Sequence, residues 1–451
     1  MAQDRTTCAI AGGGPAGIVL GLMLARAGVE VTVLEKHADF LRDFRGDTVH
    51  VSTMTLIDEL GLWDRFAQLP WKSIEKAQVV MDAGPSPVAD MTRLRAPHPF
   101  VAMVPQWHLL DMLAAAAAEE PTFTLLRNAE VTDLRRRAGR VTGLRWRETG
   151  AEGGAEHDLA ADLVVACDGR DSRVRALTGL PLRSYDVPMD VWWFRLARRT
   201  RSEAELDHRD SDADDPAGGL GRVSPGRFVV MLDRGDYYQA AYMIRRGTDA
   251  EYRRGPVQVL RDDLLRLLPW LGDRVDGLAS WDDVKLLQVT LDRLERWSAP
   301  GVLCIGDAAH AMSPVGGVGI NLAVQDAVAT ARDLGPVLAA APPDPAAVDR
   351  AAAGVQRRRW LPTWVTQTGQ RLAHRAVIRA ALSEDAPGRD RLPPPLRVLQ
   401  RVPALQVVPA RLVGVGVLPE HAPEWARPAQ DASAKNSSAF PSGSVNDSAQ
   451  P

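Results

Sequence analysis

Cysteine is scarce in this chain, with three in 451 residues. Cys8, Cys167 and Cys304 cannot build a disulfide framework, and so low a number fits a reducing compartment. An excess of one charge is also missing. With 54 Lys and Arg against 57 Asp and Glu the formal net charge is -3, which argues against a broad electrostatic commitment to nucleic acid or to anionic membrane. No run reaches the roughly 18 uninterrupted apolar residues of a membrane span. The nearest, Leu405 to Leu418, is cut by Pro409 and Arg411. Met1 to Thr7 is polar and does not resemble an export signal, so a cytoplasmic location is expected.

What the chain does have is glycine, 37 residues of it, some at informative intervals. Its length exceeds the roughly 250–300 residues of one hydrophobic core, so at least two packed units are expected. Thr7 to Lys36 reads as strand, glycine turn, helix and strand, a βαβ unit that seeds a parallel sheet. Leu163 to Cys167 and Val302 to Ile305 are further short apolar strands that each end at a glycine turn. Asp190 to Leu196, Arg227 to Asp233 and Tyr237 to Ile244 read instead as an antiparallel sheet inserted into the first unit. Helical patterns follow, through Leu334 and again from Ala346 to about Leu382. The expected class is α/β (α+β overall), a Rossmann-like domain with an inserted antiparallel sheet and C-terminal helices.

Three motifs carry chemistry. In Gly12-Gly13-Gly14-Pro15-Ala16-Gly17 the pattern GxGxxG follows a buried strand and opens a helix, with Glu35 and Lys36 closing the next strand. Gly12 allows the tight turn, Gly14 lets backbone approach a pyrophosphate, and Gly17 lets helix and strand pack closely. The helix start offers N–H groups and partial positive charge to phosphate, and Glu35 can accept from ribose hydroxyls. The second motif runs from Cys167-Asp168-Gly169 to Arg175; its competing reading is an ordinary turn with a helix cap at Ser172. The third is Gly306-Asp307-Ala308-Ala309-His310 with Pro314, Gly316, Gly317, Gly319, Ile320 and Asn321. There a carboxylate can bind a polyol, glycines let a flat ring lie on backbone, and the helix start near Gly319 can stabilise a reduced, anionic flavin.

In this order the motifs resemble those of the para-hydroxybenzoate hydroxylase family, the single-component FAD-dependent monooxygenases, from Thr7 to about Leu334. The resemblance implies that Gly12, Gly14, Pro15, Ala16, Gly17, Glu35 and Lys36 hold the ADP half of FAD. It implies that Arg45 reaches the FAD phosphates and that Gln106 contacts the cofactor. It ties Asp168 and Arg175 to FAD and NAD(P)H, gives Asp307 the ribityl chain, and sets Pro314, Gly316, Gly319, Ile320 and Asn321 around the ring. NAD(P)H would reduce FAD, O2 would add at C4a, and the hydroperoxide would pass one oxygen atom to a small molecule. A resident metal is not expected. The expected units are a discontinuous FAD-binding domain (1–75, 101–180 and 291–335), a substrate domain (76–100 and 181–290), a helical region (336–426) and a tail (427–451). A monomer or a homodimer fits equally well.

Asp47 and His50 follow Arg45 in the loop expected beside the flavin, where either can move a proton or bind substrate; the competing reading is hydrogen bonding within their own turn. His310 reads as structural. On the inserted sheet Trp193 and Arg195 share one face and Trp192 and Phe194 the other. Trp193, Arg195, Tyr238 and Tyr242 are the candidate substrate contacts. The aromatic character suggests an apolar, aromatic or polycyclic substrate. A flavin-dependent halogenase is the alternative, although Trp192-Trp193-Phe194 does not match a Trp-x-Trp-x-Ile segment, and neither Lys72 nor Lys76 lies in a glycine-rich loop. A non-catalytic FAD-binding protein is the third reading.

Overall fold

The computed structural model describes residues 4–41, 48–81, 84–150, 154–198, 219–234, 237–378, 382 and 394–428. Cys8 to Ala11, the first apolar run, lies in the strand Arg5–Ala11 and is fully buried. The strand pairs in parallel with Val31–Glu35 on one side and with Glu156–Ala166 on the other. Burial on both faces explains why these strands read as continuous apolar runs instead of alternating ones. The sheet continues outward through Phe123–Arg127 at one end and Val302–Cys304 at the other. The expected strand at Leu163 to Cys167 is the end of a longer one. Its first half pairs antiparallel with Arg140–Glu148 before its second half joins the parallel core.

The helix Pro15–Arg26 is buried from Ala16 to Ala25, as its all-round apolar sequence requires. It is covered by the helices Gln106–Ala118 and Gly319–Leu338, and a third, Pro345–Ala373, packs over the last. Asp344 starts that long helix by accepting from the amides of Ala346 and Ala347, with Pro345 in the first turn. No helix among the described residues is long and apolar enough to cross a membrane.

The inserted sheet has seven strands, in the order Lys285–Leu287, Met189–Ala197, Tyr237–Arg245, Arg227–Asp233, Gly219–Ser224, Lys76–Met81 and Gly84–Asp90. Two distant stretches of sequence therefore share one sheet, joined by parallel pairing of Gly219–Ser224 with Lys76–Met81. Alternation gives the sheet two faces. Trp192, Phe194 and Leu196 pack with Leu260, Leu264 and Leu267 of the helix Gln258–Leu267, on the side away from the parallel sheet. Val191, Trp193, Ala241 and Met243 face the other way and pack with Met312, Val318 and Leu322, which flank the third glycine motif.

That register corrects one expectation. Tyr242 stands opposite Trp192 and Tyr238 opposite Leu196, so both tyrosines lie on the helix-covered face. The Tyr242 hydroxyl donates to Asp263 at 3.1 Å, and the Tyr238 ring meets Trp270 edge-on at 5.3 Å. Neither points at the glycine motifs, and neither is a substrate contact.

Candidate active site

The three glycine turns meet at the ends of neighbouring parallel strands. Gly12 has φ +101°, and a Cβ there would lie 2.5 Å from the Cys167 carbonyl oxygen, so the first two turns touch through backbone. Gly306, with φ +57°, would carry its Cβ 3.5 Å from that of Ala16, which brings the third turn to the start of the first helix. The Arg175 guanidinium binds the second turn to the third by donating to the carbonyls of Asp307 (3.4 Å), Ala308 (3.2 Å) and Arg170.

Each turn uses its side chains differently. Both oxygens of the buried Glu35 carboxylate accept from backbone, from Gly13 at 3.0 Å and His37 at 3.1 Å, so it shapes the glycine turn. Lys36 follows it on the surface. Asp168 accepts from the Ser172 hydroxyl and, at 3.1 Å, from the Val174 amide, while Ser172 caps the helix Arg173–Thr178 through the Arg175 amide. Burial raises the Asp168 pKa against the pull of those donors. Asp168 and Arg175 thus build the turn, as the simple capped-turn reading has it. Asp307 is different: its carboxylate keeps 29% of its surface, with the Arg170 guanidinium 3.5 Å away. Gln106 opens its helix half-buried, and Arg45 and Asp47 lie outside the described residues.

The helix at Pro15 starts without a side-chain cap, and nothing lies within 4 Å of a Cβ at Gly14. Uncapped N–H groups facing open space form a phosphate cradle. The helix at Gly319 also lacks a side-chain cap, beyond a loop in which Gly316 and Gly317 have φ +84° and +63°. These residues fit a dinucleotide: the cradle at Gly14 would suit its phosphates, and the glycine loop with the uncapped helix start at Gly319 a flat ring carrying negative charge.

The loop is held from behind, by residues without a sequence motif. The Gly317 carbonyl accepts from the Thr48 hydroxyl at 3.2 Å and from His50 Nε2 at 2.9 Å. The Asn321 Oδ1 accepts from the hydroxyls of Ser52 (2.7 Å) and Thr53 (2.8 Å). Asn321 is itself buried, which makes it a brace of the loop. His50 is 2% exposed, and burial drives its pKa down to about 4 against the pull of the Gly317 and Val413 carbonyls. This corrects one reading of His50, since its partner lies far outside its own turn, and the enclosed ring is neutral. Because the folded pKa is depressed, acid protonates the unfolded state first, and stability falls as pH drops from about 6.5 towards 4. The loss is expected to approach about 3 kcal/mol. His50→Gln should flatten that slope in unfolding measured across this pH range; an unchanged slope would contradict the assignment.

Below the third turn lies a buried carboxylate that the motifs did not single out. Asp326 accepts from the Gly306 amide at 3.1 Å and pairs with His310 at 2.5 Å and with the Arg359 guanidinium at 2.9 Å. His310 is structural, as expected. A carboxylate within the apolar stretch Leu322 to Leu334 was the available signal.

On the inserted sheet, Trp193 and Gln239 share the face turned to the glycine loop, at diagonal positions on adjacent strands. Trp193 Nε1 and Gln239 Nε2 are buried donors without a partner among the described residues. Arg195 is exposed at the rim, its guanidinium 4.8 Å from the Tyr237 ring.

Comparison with known proteins agrees with this geometry. The family model described as "FAD binding domain" matches residues 5–350. The 6-methylpretetramide 4-monooxygenase of Streptomyces rimosus is 31% identical over 335 residues, covering 72% of this chain and 74% of that protein. The structure of OxyS anhydrotetracycline hydroxylase, also from Streptomyces rimosus, superposes with a TM-score of 0.64 at 26% identity, over 91% of this chain and 76% of that one. A flavin-dependent brominase, at 15% identity and a TM-score of 0.68 over 91% of this chain and 93% of its own, shares the fold alone. With three glycine turns converging on one cradle and a match over most of its length, the chain belongs to the FAD binding domain family and is an FAD-dependent monooxygenase of the para-hydroxybenzoate hydroxylase type.

Proposed function

We propose that this monooxygenase uses NAD(P)H and O2 to hydroxylate an apolar, aromatic or polycyclic small molecule in the cytoplasm. The observation that carries the reading is the inner face of the inserted sheet, an apolar wall interrupted by the unpartnered Trp193 and Gln239 donors opposite the glycine loop. Bound FAD, once reduced by the coenzyme, supplies the activation of O2 and the transfer of one oxygen atom. The chain supplies the surroundings. Gly14 and the uncapped helix start at Pro15 would present backbone N–H groups to the phosphates, with Gly12 making the turn and Gly17 the close packing behind it, and the Asp307 carboxylate would accept from the sugar-like chain. The uncapped helix start at Gly319 favours negative charge beside it. Met312, Val318 and Leu322 exclude water from the space facing the sheet. Trp193 offers an apolar plate, while its indole N–H and the Gln239 amide seek acceptor oxygens such as those of a phenol or quinone. The names of the two Streptomyces relatives support a multi-ring substrate of this kind. The FAD-binding unit is taken as residues 1–75, 101–180 and 291–335, and the substrate unit as 76–100 and 181–290.

The test is NAD(P)H oxidation by the flavin-loaded protein under air, with anhydrotetracycline-like polycyclic phenols supplied and products read by mass. A product heavier by one oxygen atom is expected. Gln239→Leu should lower kcat/KM by about tenfold through KM, because a donor to the substrate is lost. Turnover only with halide, or none with any polycyclic phenol, would overturn the reading. The halogenase alternative is weakened by Lys72, whose ammonium is tied to Asp233 at 2.8 Å.

A further inference from the structure

Away from the glycine turns, a cavity of 410 Å³ opens beside the short strand pair Leu182–Ser184 and Asp292–Leu294 and the end of the long helix Pro345–Ala373. Its wall includes Arg183, Tyr185, Asp186, Arg371, His374 and Arg375. Three guanidiniums against one carboxylate leave this wall with a net charge of +2. Arg371 and Arg183 lie over the Tyr185 ring, at 4.6 Å and 5.5 Å. Arg293 stands behind it, donating to the Tyr185 hydroxyl at 3.3 Å, with its Nη1 buried and without a partner. Like charges gathered this closely repel, and among the described residues Arg183, Arg371 and Arg293 have no ion pair to offset that.

His374 supplies the second observation. It lines the cavity at 2% exposure, and its Nδ1 has no partner. Its Nε2 lies 2.8 Å from the Ser313 hydroxyl, which already accepts from the Val315 amide at 3.3 Å. In the tautomer that carries its hydrogen on Nδ1, the Ser313 hydroxyl donates to Nε2 and the buried Nδ1–H is left as a donor. A group of cations with a buried, unused N–H among them is matched by a compact oxyanion that accepts from several donors at once.

We infer that this cavity is a binding site for a phosphate ester or diphosphate, seated between Arg183, Arg371 and Arg375 and accepting from His374. Its occupant touches the active site through one link. Ser313 precedes Pro314, and Gln370, on the same helix as Arg371, donates to the Ser313 carbonyl at 2.8 Å and the Val315 carbonyl at 2.9 Å. An anion held here thus steadies the loop against which the flavin ring lies.

Calorimetric titration of the FAD-loaded full chain with inorganic pyrophosphate at fixed ionic strength tests the inference without turnover, so its failure is separable from that of the hydroxylase reading. Saturable one-to-one binding is expected, weakened about tenfold or more in Arg371→Gln and in the exposed Arg375→Gln. Displacement of pyrophosphate by NADPH or NADH would identify the dinucleotide diphosphate as the occupant, and retention would identify a free phosphate ester. No saturable binding to the wild-type chain, or the same affinity in both folded variants, overturns the assignment.

Discussion

Replacing Gly17 by alanine is expected to leave the protein colourless. A Cβ at this position would sit 2.0 Å from the Gly12 carbonyl oxygen and 3.3 Å from the Ile10 side chain, inside the contact between the first strand and the helix that follows it. Neither neighbour can yield cheaply. Gly12 is held by its amide's bond to the Leu34 carbonyl at 2.8 Å, and Ile10 is fully buried. The helix start must shift outward, carrying with it the N–H groups that would meet the phosphates. Overpacking of this kind costs about 3 kcal/mol, and if that cost falls on the holo geometry the FAD affinity drops about 100-fold. Gly14→Ala is the informative partner, since no atom lies within 4 Å of the added methyl. It should keep the unfolding midpoint of the wild type and lose flavin affinity by about tenfold, because the methyl projects only into ligand space. Flavin absorbance relative to protein after gel filtration reads both. Full flavin occupancy in Gly17→Ala would contradict the packing assigned to that turn.

The turn and packing positions of these glycines were legible because they depend on backbone and fixed spacing, and both are local. The same holds for the parallel strands, whose unbroken apolar runs reflect burial on two faces. Trp193 and Tyr242 show where local reading ends. Alternation separates Trp193 from Trp192 at once, but which face meets the flavin loop depends on cross-strand register between Met189–Ala197 and Tyr237–Arg245 and on the helix at Gln258–Leu267. An aromatic residue has the same sequence signature in a core as in a binding wall. His50 illustrates a second limit, since its partner, the Gly317 carbonyl, lies 267 residues away. The strands Lys76–Met81 and Gly84–Asp90, grouped with the inserted sheet in the expected substrate domain, join it through Gly219–Ser224, a strand with so little apolar character that this particular pairing is not legible locally. The C-terminal arginines were the least readable. In the run Arg357-Arg358-Arg359 nothing local tells the three cations apart, and Arg359 is 1% exposed.

Removing Arg359 is expected to weaken the protein and loosen its flavin together, although the residue lies beyond the stretch matched by the family model. Its guanidinium and His310 are what allow Asp326 to remain charged. Burial alone would raise the Asp326 pKa, but these two partners hold it below the usual carboxylate range. In Arg359→Met a fully buried carboxylate keeps only His310 and the Gly306 amide, and loss of one member of a buried pair costs about 3–5 kcal/mol. The cost is passed to the Gly306 turn, because the same Asp326 oxygen that faces His310 receives the Gly306 amide. Chemical unfolding followed by flavin fluorescence should show the cofactor leaving at lower denaturant than in the wild type. Replacing both charges, as in Asp326→Leu with Arg359→Met, should recover part of the loss, since two apolar groups leave no stranded ion. The pH dependence has a definite sign. A depressed folded pKa contributes stability above the unfolded value of about 3.9, and that contribution disappears as pH falls through the folded pKa. Wild-type stability should therefore fall steeply below about pH 4, and Asp326→Asn, already weaker at neutral pH, should fall less over the same interval. Parallel acid-unfolding slopes in the two proteins, or flavin retention in Arg359→Met equal to that of the wild type, would show that the buried pair does not hold the turn.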